Sequence, residues 1–141
     1  MEKICRRGLR IRYGIINKDV ADSVRRFVKW LRNNYKFPIR IPIYLSTKPM
    51  VKAIDGDLCY STFFEPFKKD VEPYIRVATG EYTQDKKELG KDNALAAPLS
   101  SIAFQLQYYF SWCQNEPISE KQARRRGRAV MRKYSSTVDH P

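Results

Sequence analysis

DNALAAPLSSIAFQLQYYFSW, residues 92–112, is the stretch that decides the architecture. Read with a period of 3.6, Leu95, Leu99, Ile102, Leu106, Tyr109 and then Cys113 fall in one stripe, so from Asp92 or Asn93 the chain is a helix with one face committed to a core. Pro98 must lie in its first turn or kink it, because deeper in a helix proline removes a hydrogen bond. Beyond this helix, Ser119 and Gln122 stand at capping-box spacing: the hydroxyl covers the N–H of Gln122 and that side chain reaches back. The helix so opened presents Ala123, Gly127, Val130 and Tyr134 on one side, small enough in part for close packing. Its other side carries Lys121, Arg125, Arg128 and Arg132, with Arg124 and Arg126 beside them.

Upstream of residue 80 the period changes to two. Ile39, Ile41, Ile43 and Leu45 alternate with Arg40, Pro42 and Tyr44, a half-buried strand; Pro42 lacks an N–H, so the strand lies at an edge or turns its free side there. Met50–Ile54 and Leu58–Phe64 flank Asp55-Gly56-Asp57, which predicts a hairpin. Tyr74–Ala78 reads as a further strand ended by Gly80, and residues 81–92 as a charged loop or one helical turn. Earlier still, Val20, Val24, Phe27, Val28 and Leu31 predict a helix over 19–34, capped by Asn17 or Asp19. Its opposite face shows Arg25, Lys29 and Arg32, joined by Lys36 if the helix runs on. The expected class is therefore α+β: an N-terminal helix, a three- to four-stranded mixed sheet, then two C-terminal helices. It forms one domain over 1–141, with 1–16 an arm or short extended segment and 135–141 a frayed tail.

Composition agrees. At 141 residues, with 43% apolar and 13% aromatic content, the chain can bury a core without disulfides or metals. No run approaches the roughly 18 apolar residues of a membrane span, and Met1–Arg7 lacks the apolar stretch of a signal peptide, so no membrane partner and a cytoplasmic location are expected. Cys5, Cys59 and Cys113 are far apart and read as reduced thiols. The net charge is +12 and uneven. Residues 1–40 carry twelve Lys/Arg against three acids, 41–92 eight against nine, and 93–141 seven against three. A neutral centre between basic ends attracts polyanions before contact.

The order of elements, together with Tyr109-Phe110-Ser111-Trp112 in the long helix and a capped helix after a short loop, resembles the small zincin-type metallopeptidase-like proteins of bacteria and their phages. In that family the helix carries His-Glu-x-x-His followed by Tyr/Phe-Phe-Gln-Trp. At element level the resemblance runs over residues 19–135 and implies a minimal zincin-like fold. Laid onto this chain, the first histidine falls on Phe104, the general-base glutamate on Gln105 and the second histidine on Tyr108. A third ligand from the next helix would fall on Gln122 or Arg124. Zinc takes imidazole, thiolate or carboxylate donors, and an amide in place of glutamate accepts no proton from a bound water. The resemblance therefore implies a degenerate member, a pseudo-enzyme with no metal, cofactor or peptidase activity.

Other chemistries lack their parts. The single histidine, His140, adjoins Pro141; there is no Gly-x-Gly-x-x-Gly or Gly-Lys-Ser/Thr loop. Asp55/Asp57 and Asp85/Glu88 are accounted for by a turn and a charged loop. What remains is the two basic rows, Arg25/Lys29/Arg32 and Lys121/Arg124/Arg125/Arg126/Arg128/Arg132. Exposed basic rows are often merely solvated, but the last helix is arginine-rich with only Glu120 placed to pair with Arg124, and guanidinium forks suit phosphate. The expectation is a non-catalytic protein that binds nucleic acid, DNA or RNA, or an acidic protein. The chain has no helix-turn-helix, ribonucleoprotein or zinc-finger pattern, so sequence-independent binding is expected. Tyr60, Phe63 and Phe64 offer rings for base stacking, against a core role on one side of their strand. The alternative is an inhibitor or adaptor of phage or mobile-element type that binds a protein in the peptidase-like groove beside Phe104, Tyr108 and Trp112.

Overall fold

The computed structural model describes residues 7–141. It opens with β1 (Leu9–Arg12), followed by α1 (Lys18–Asn34) and β2 (Ile41–Ser46). After these come the short strands β3 (Val51–Lys52) and β4 (Leu58–Cys59), then β5 (Ser61–Phe64) and β6 (Tyr74–Ala78). Three helices close the chain: α2 (Tyr82–Leu89), α3 (Lys91–Cys113) and α4 (Glu120–Ser135). The main sheet has the order β1-β2-β6-β5, with β1, β2 and β6 parallel and β5 antiparallel at one edge; β3 and β4 form a separate hairpin. The class is α+β with a mixed sheet and two long C-terminal helices, and among the described residues no helix is long and apolar enough to cross a membrane.

Helix α1 begins where its N-cap predicts: the Asn17 side chain accepts from the Asp19 N–H at 2.8 Å. It buries Val20, Val24, Phe27, Val28 and Leu31. A parallel strand pair needs a crossover, and α1 supplies it between β1 and β2. Leu9, Ile41, Ile43, Ile75 and Val77 point to the helix side, each fully buried. Across this layer runs α3, packed on β5, β6, α1, α2 and α4 at once, so its buried set extends well beyond one stripe. Tyr109 ties it to the start of β2: its hydroxyl donates to the Ile39 carbonyl and accepts the Ile39 N–H at 3.1 Å. The capping box of α4 forms as expected, Ser119 Oγ accepting from the Gln122 N–H and Gln122 Oε1 from the Ser119 N–H, both at 3.1 Å.

Five expectations change or narrow. Of the two alternatives for the N-terminal segment, residues 9–12 take the extended one and not the arm, as a sheet strand paired residue for residue with 41–44; Met1–Arg6 lie outside the described residues. The strand with Pro42 is internal. It tolerates proline because the Ile41 N–H bonds to Gly8, which turns the Pro42 nitrogen toward β6, where pairing starts only at Ile43. Residues 82–89 are a two-turn helix where a loop or a single helical turn was expected, joined to α3 through Gly90 at φ 86°. Pro98 lies well inside α3, which excludes the first-turn alternative, and the bond from position 98 to the Ala94 carbonyl is missing there. The C-terminal segment is held: Arg26 donates to the Pro141 backbone oxygen at 2.6 Å, His140 Nδ1 lies 2.9 Å from Asp92, and Val138 packs on the core.

Candidate nucleic-acid interface

The basic helix is set by its small residues. At Gly127 an added Cβ would lie 3.1 Å from Phe104 Cα and 3.2 Å from Phe104 N, so α4 meets α3 backbone to backbone. With Ala123, Gly127, Val130 and Tyr134 turned inward, the 3.6-residue period sends Lys121, Arg125, Arg128 and Arg132 outward in one row, with Arg124 and Arg126 on its flanks. All six are exposed. Arg124 pairs with Glu120 at 2.7 Å and lies over the Phe104 ring, 5.0 Å from its centre. Among the described residues, Lys121, Arg125, Arg126, Arg128 and Arg132 have no carboxylate within ion-pair distance. Arg128 and Arg132 also border a groove of about 360 Å³ floored by Phe104, Gly127 and Met131.

The row on α1 is placed differently. Arg25 pairs with Asp22 at 3.0 Å and lies 5.5 Å from the Tyr13 ring centre. Arg32 spends its guanidinium on the Leu9 carbonyl, through Nε at 3.0 Å and Nη2 at 2.7 Å. Arg32 therefore braces β1 against α1 and Arg25 covers the residue that follows β1, while Lys29 alone of the three makes no such contact among the described residues. Helix α4 meets α1 through its inward side, where Tyr134 packs on Phe27 and Trp30.

At the positions where the zincin resemblance would place metal ligands, Phe104 meets Tyr108 edge to face at 5.3 Å, under the Arg124 guanidinium. Gln105 is buried and donates to Ser61 Oγ at 3.0 Å. Burial raises the Tyr108 phenol above its ordinary range, Glu120 raising it further against a smaller lowering by Arg124, so it stays neutral near pH 7. A phenyl ring, an amide and a neutral phenol beside a guanidinium do not fit zinc. Among the described residues, no three His, Cys, Asp or Glu side chains gather as a metal-binding group. Cys59 and Cys113 are half-buried thiols, both raised chiefly by burial, and Cys5 lies outside the described residues. Of the candidate stacking rings, Phe63 packs against the core while Phe64 stacks on Tyr74 at 4.9 Å, and Tyr60 is exposed.

Sequence reasoning missed the groove that Met131 adds beside Arg128 and Arg132, and the engagement of Arg32. The first follows from the Gly127 contact and the second from the pairing of β1. No family model matches the chain, and neither does any curated protein or solved structure.

Proposed function

We propose that this chain is a non-catalytic binding protein that holds nucleic acid, or another polyanion, on the outer face of α4. The observation that carries the reading is the row Lys121, Arg125, Arg128 and Arg132, exposed and without carboxylate partners among the described residues, with Arg126 alongside. A surface selected only for solubility mixes charge signs; this one keeps its guanidiniums free. Phosphate neutralisation with counterion release supplies the affinity, so binding is steep in salt and nearly blind to sequence. Phe104, Gln105 and Tyr108 support the non-catalytic half of the reading, as a degenerate zincin-like scaffold in which the long helix passes beneath an antiparallel edge strand. We place the protein in the cytoplasm, where half-buried thiols such as Cys59 and Cys113 stay reduced.

A gel-shift titration of a 20-base-pair duplex at low and moderate salt tests this. A complex that weakens steeply with salt is expected, and no complex at low salt overturns it. The second reading, an adaptor or inhibitor that holds a protein, is favoured by one feature: a hollow of about 500 Å³ between β4–β5 and the α3–α4 pair, bordered by Tyr60, Ser61, Phe104 and Glu120.

A further inference from the structure

The helices cover one face of the main sheet, and the other face carries a pattern of its own. Register places Arg12 beside Tyr44, Tyr44 beside Arg76, and Arg76 beside Thr62, one cross-strand row through all four strands. Arg10 and the stacked pair Phe64 and Tyr74 lie one step along the same face. No strand residue on this face is acidic, and Arg10, Arg12 and Arg76 form no ion pair among the described residues. Tyr44 is 42% exposed despite sitting on an internal strand. It meets Tyr74 edge to face at 6.0 Å, and the Arg76 guanidinium lies 5.1 Å from the Tyr74 ring centre. Beside Tyr44, the hairpin overhangs a hollow of about 630 Å³ rimmed by Lys48 and Lys52.

Charged residues on an edge strand can be explained as protection against edge-to-edge pairing, which accounts for Arg10 and Arg12 on β1. It does not account for Tyr44 and Arg76 on the two internal strands. Aromatic rings backed by other rings, with cations on either side and no acidic strand residue among them, suit a ligand that has flat apolar faces and a negative backbone. Four strands about 4.8 Å apart and four residues long present roughly 200 Å². That is well short of the about 800 Å² per partner of a stable protein interface. It matches the two or three bases that a four-stranded sheet can stack.

We propose that this open sheet face is a binding platform for single-stranded nucleic acid. A base stacks on Tyr44, and the phosphates on either side of it are met by Arg12 and Arg76, with Lys48 and Lys52 extending the path under the hairpin. The platform lies on the side of the sheet away from the helices, so it does not rest on the reading of α4 and is separable from it.

Fluorescence anisotropy with a labelled 12-nucleotide oligothymidine tests the proposal, with inorganic polyphosphate as the probe that has charge but no bases. Stacking is worth about 5- to 150-fold per base on alanine substitution. Tyr44→Ala is therefore expected to weaken oligothymidine binding at least fivefold and to leave polyphosphate binding within twofold. Tyr44→Phe keeps the ring and should bind as the unmodified chain does. Arg12→Glu with Arg76→Glu should weaken both probes, whereas Arg125→Glu with Arg128→Glu should leave the Tyr44 effect on oligothymidine intact. Thermal melts of each variant separate loss of binding from loss of fold. The proposal is overturned if the unmodified chain fails to bind oligothymidine at low salt, or if Tyr44→Ala, folded and combined with Arg125→Glu and Arg128→Glu so that α4 no longer contributes, binds it as well as the Arg125→Glu, Arg128→Glu variant does. Loss of duplex binding alone, with the Tyr44 effect preserved, counts against α4 and not against the sheet.

Discussion

Reversing two charges on α4, Arg125→Glu with Arg128→Glu, should change the salt dependence of duplex binding by an amount set by the structure. The outward row supplies four cations free of carboxylate partners among the described residues: Lys121, Arg125, Arg128 and Arg132. If each neutralises one phosphate, the slope of log affinity against log salt is about −3.6, and raising salt from about 50 to 200 mM weakens binding about 150-fold. With two cations gone, the slope falls to about −1.8 and the same step costs about 12-fold. The glutamates also repel phosphate, so affinity at the lower salt drops as well. Both arginines are exposed and make no hydrogen bond among the described residues, so stability should stay within about 0.5 kcal/mol. Filter binding or anisotropy over a salt series, with a thermal melt of each protein, reads all of this. An unchanged slope in a folded double variant refutes the assignment of phosphates to α4.

Three further outcomes follow from the packing. Arg32→Met removes two hydrogen bonds to the Leu9 carbonyl, so it should lower the melting temperature by a few degrees while leaving the salt slope of duplex binding intact. Gly127→Leu puts a side chain where a Cβ alone already meets Phe104 backbone at 3.1 Å; about 1–3 kcal/mol should be lost in chemical denaturation, with duplex binding falling as α4 is displaced. Burial raises the Tyr109 phenol well above its ordinary value, which makes the folded state hold that proton more tightly than the unfolded chain. Its contribution is therefore complete below about pH 10 and is lost as pH climbs toward the raised value. Tyr109→Phe should cost about 1–3 kcal/mol at pH 7, by stranding the Ile39 N–H and carbonyl, and should flatten the alkaline loss of stability seen in a pH series of melts.

How far the chain could be read from its letters depended on whether the controlling contacts were local. Helices α1 and α4 were legible to within a residue or so because their apolar spacing and their caps, Asn17 and Ser119, lie within each segment. The strand at 74–78 and the hairpin around Gly56 were legible for the same reason. Strand β1 was legible only as one of two alternatives, extended segment or arm, because four residues alternating with arginine say little until a distant parallel partner at 41–44 pairs with them. Helix α2 buries only Tyr82 and so has no stripe to betray it. In α3 the stripe was correct but incomplete, since Gln105, Gln107 and Ser111 are buried by neighbours on other sides. The arginine row of α4 follows from spacing alone. The division of labour between rows does not, because Arg25 and Arg32 are occupied by Tyr13 and Leu9, which sequence leaves unplaced.

The reading that work is done by a cationic exterior and not by a metal centre is tested most directly by retention of the unmodified chain on immobilised nucleic acid in excess zinc chelator. Full retention with chelator present, and release by a modest rise in salt, is the expected result. No retention at low salt, or retention that appears only when zinc is restored, contradicts it.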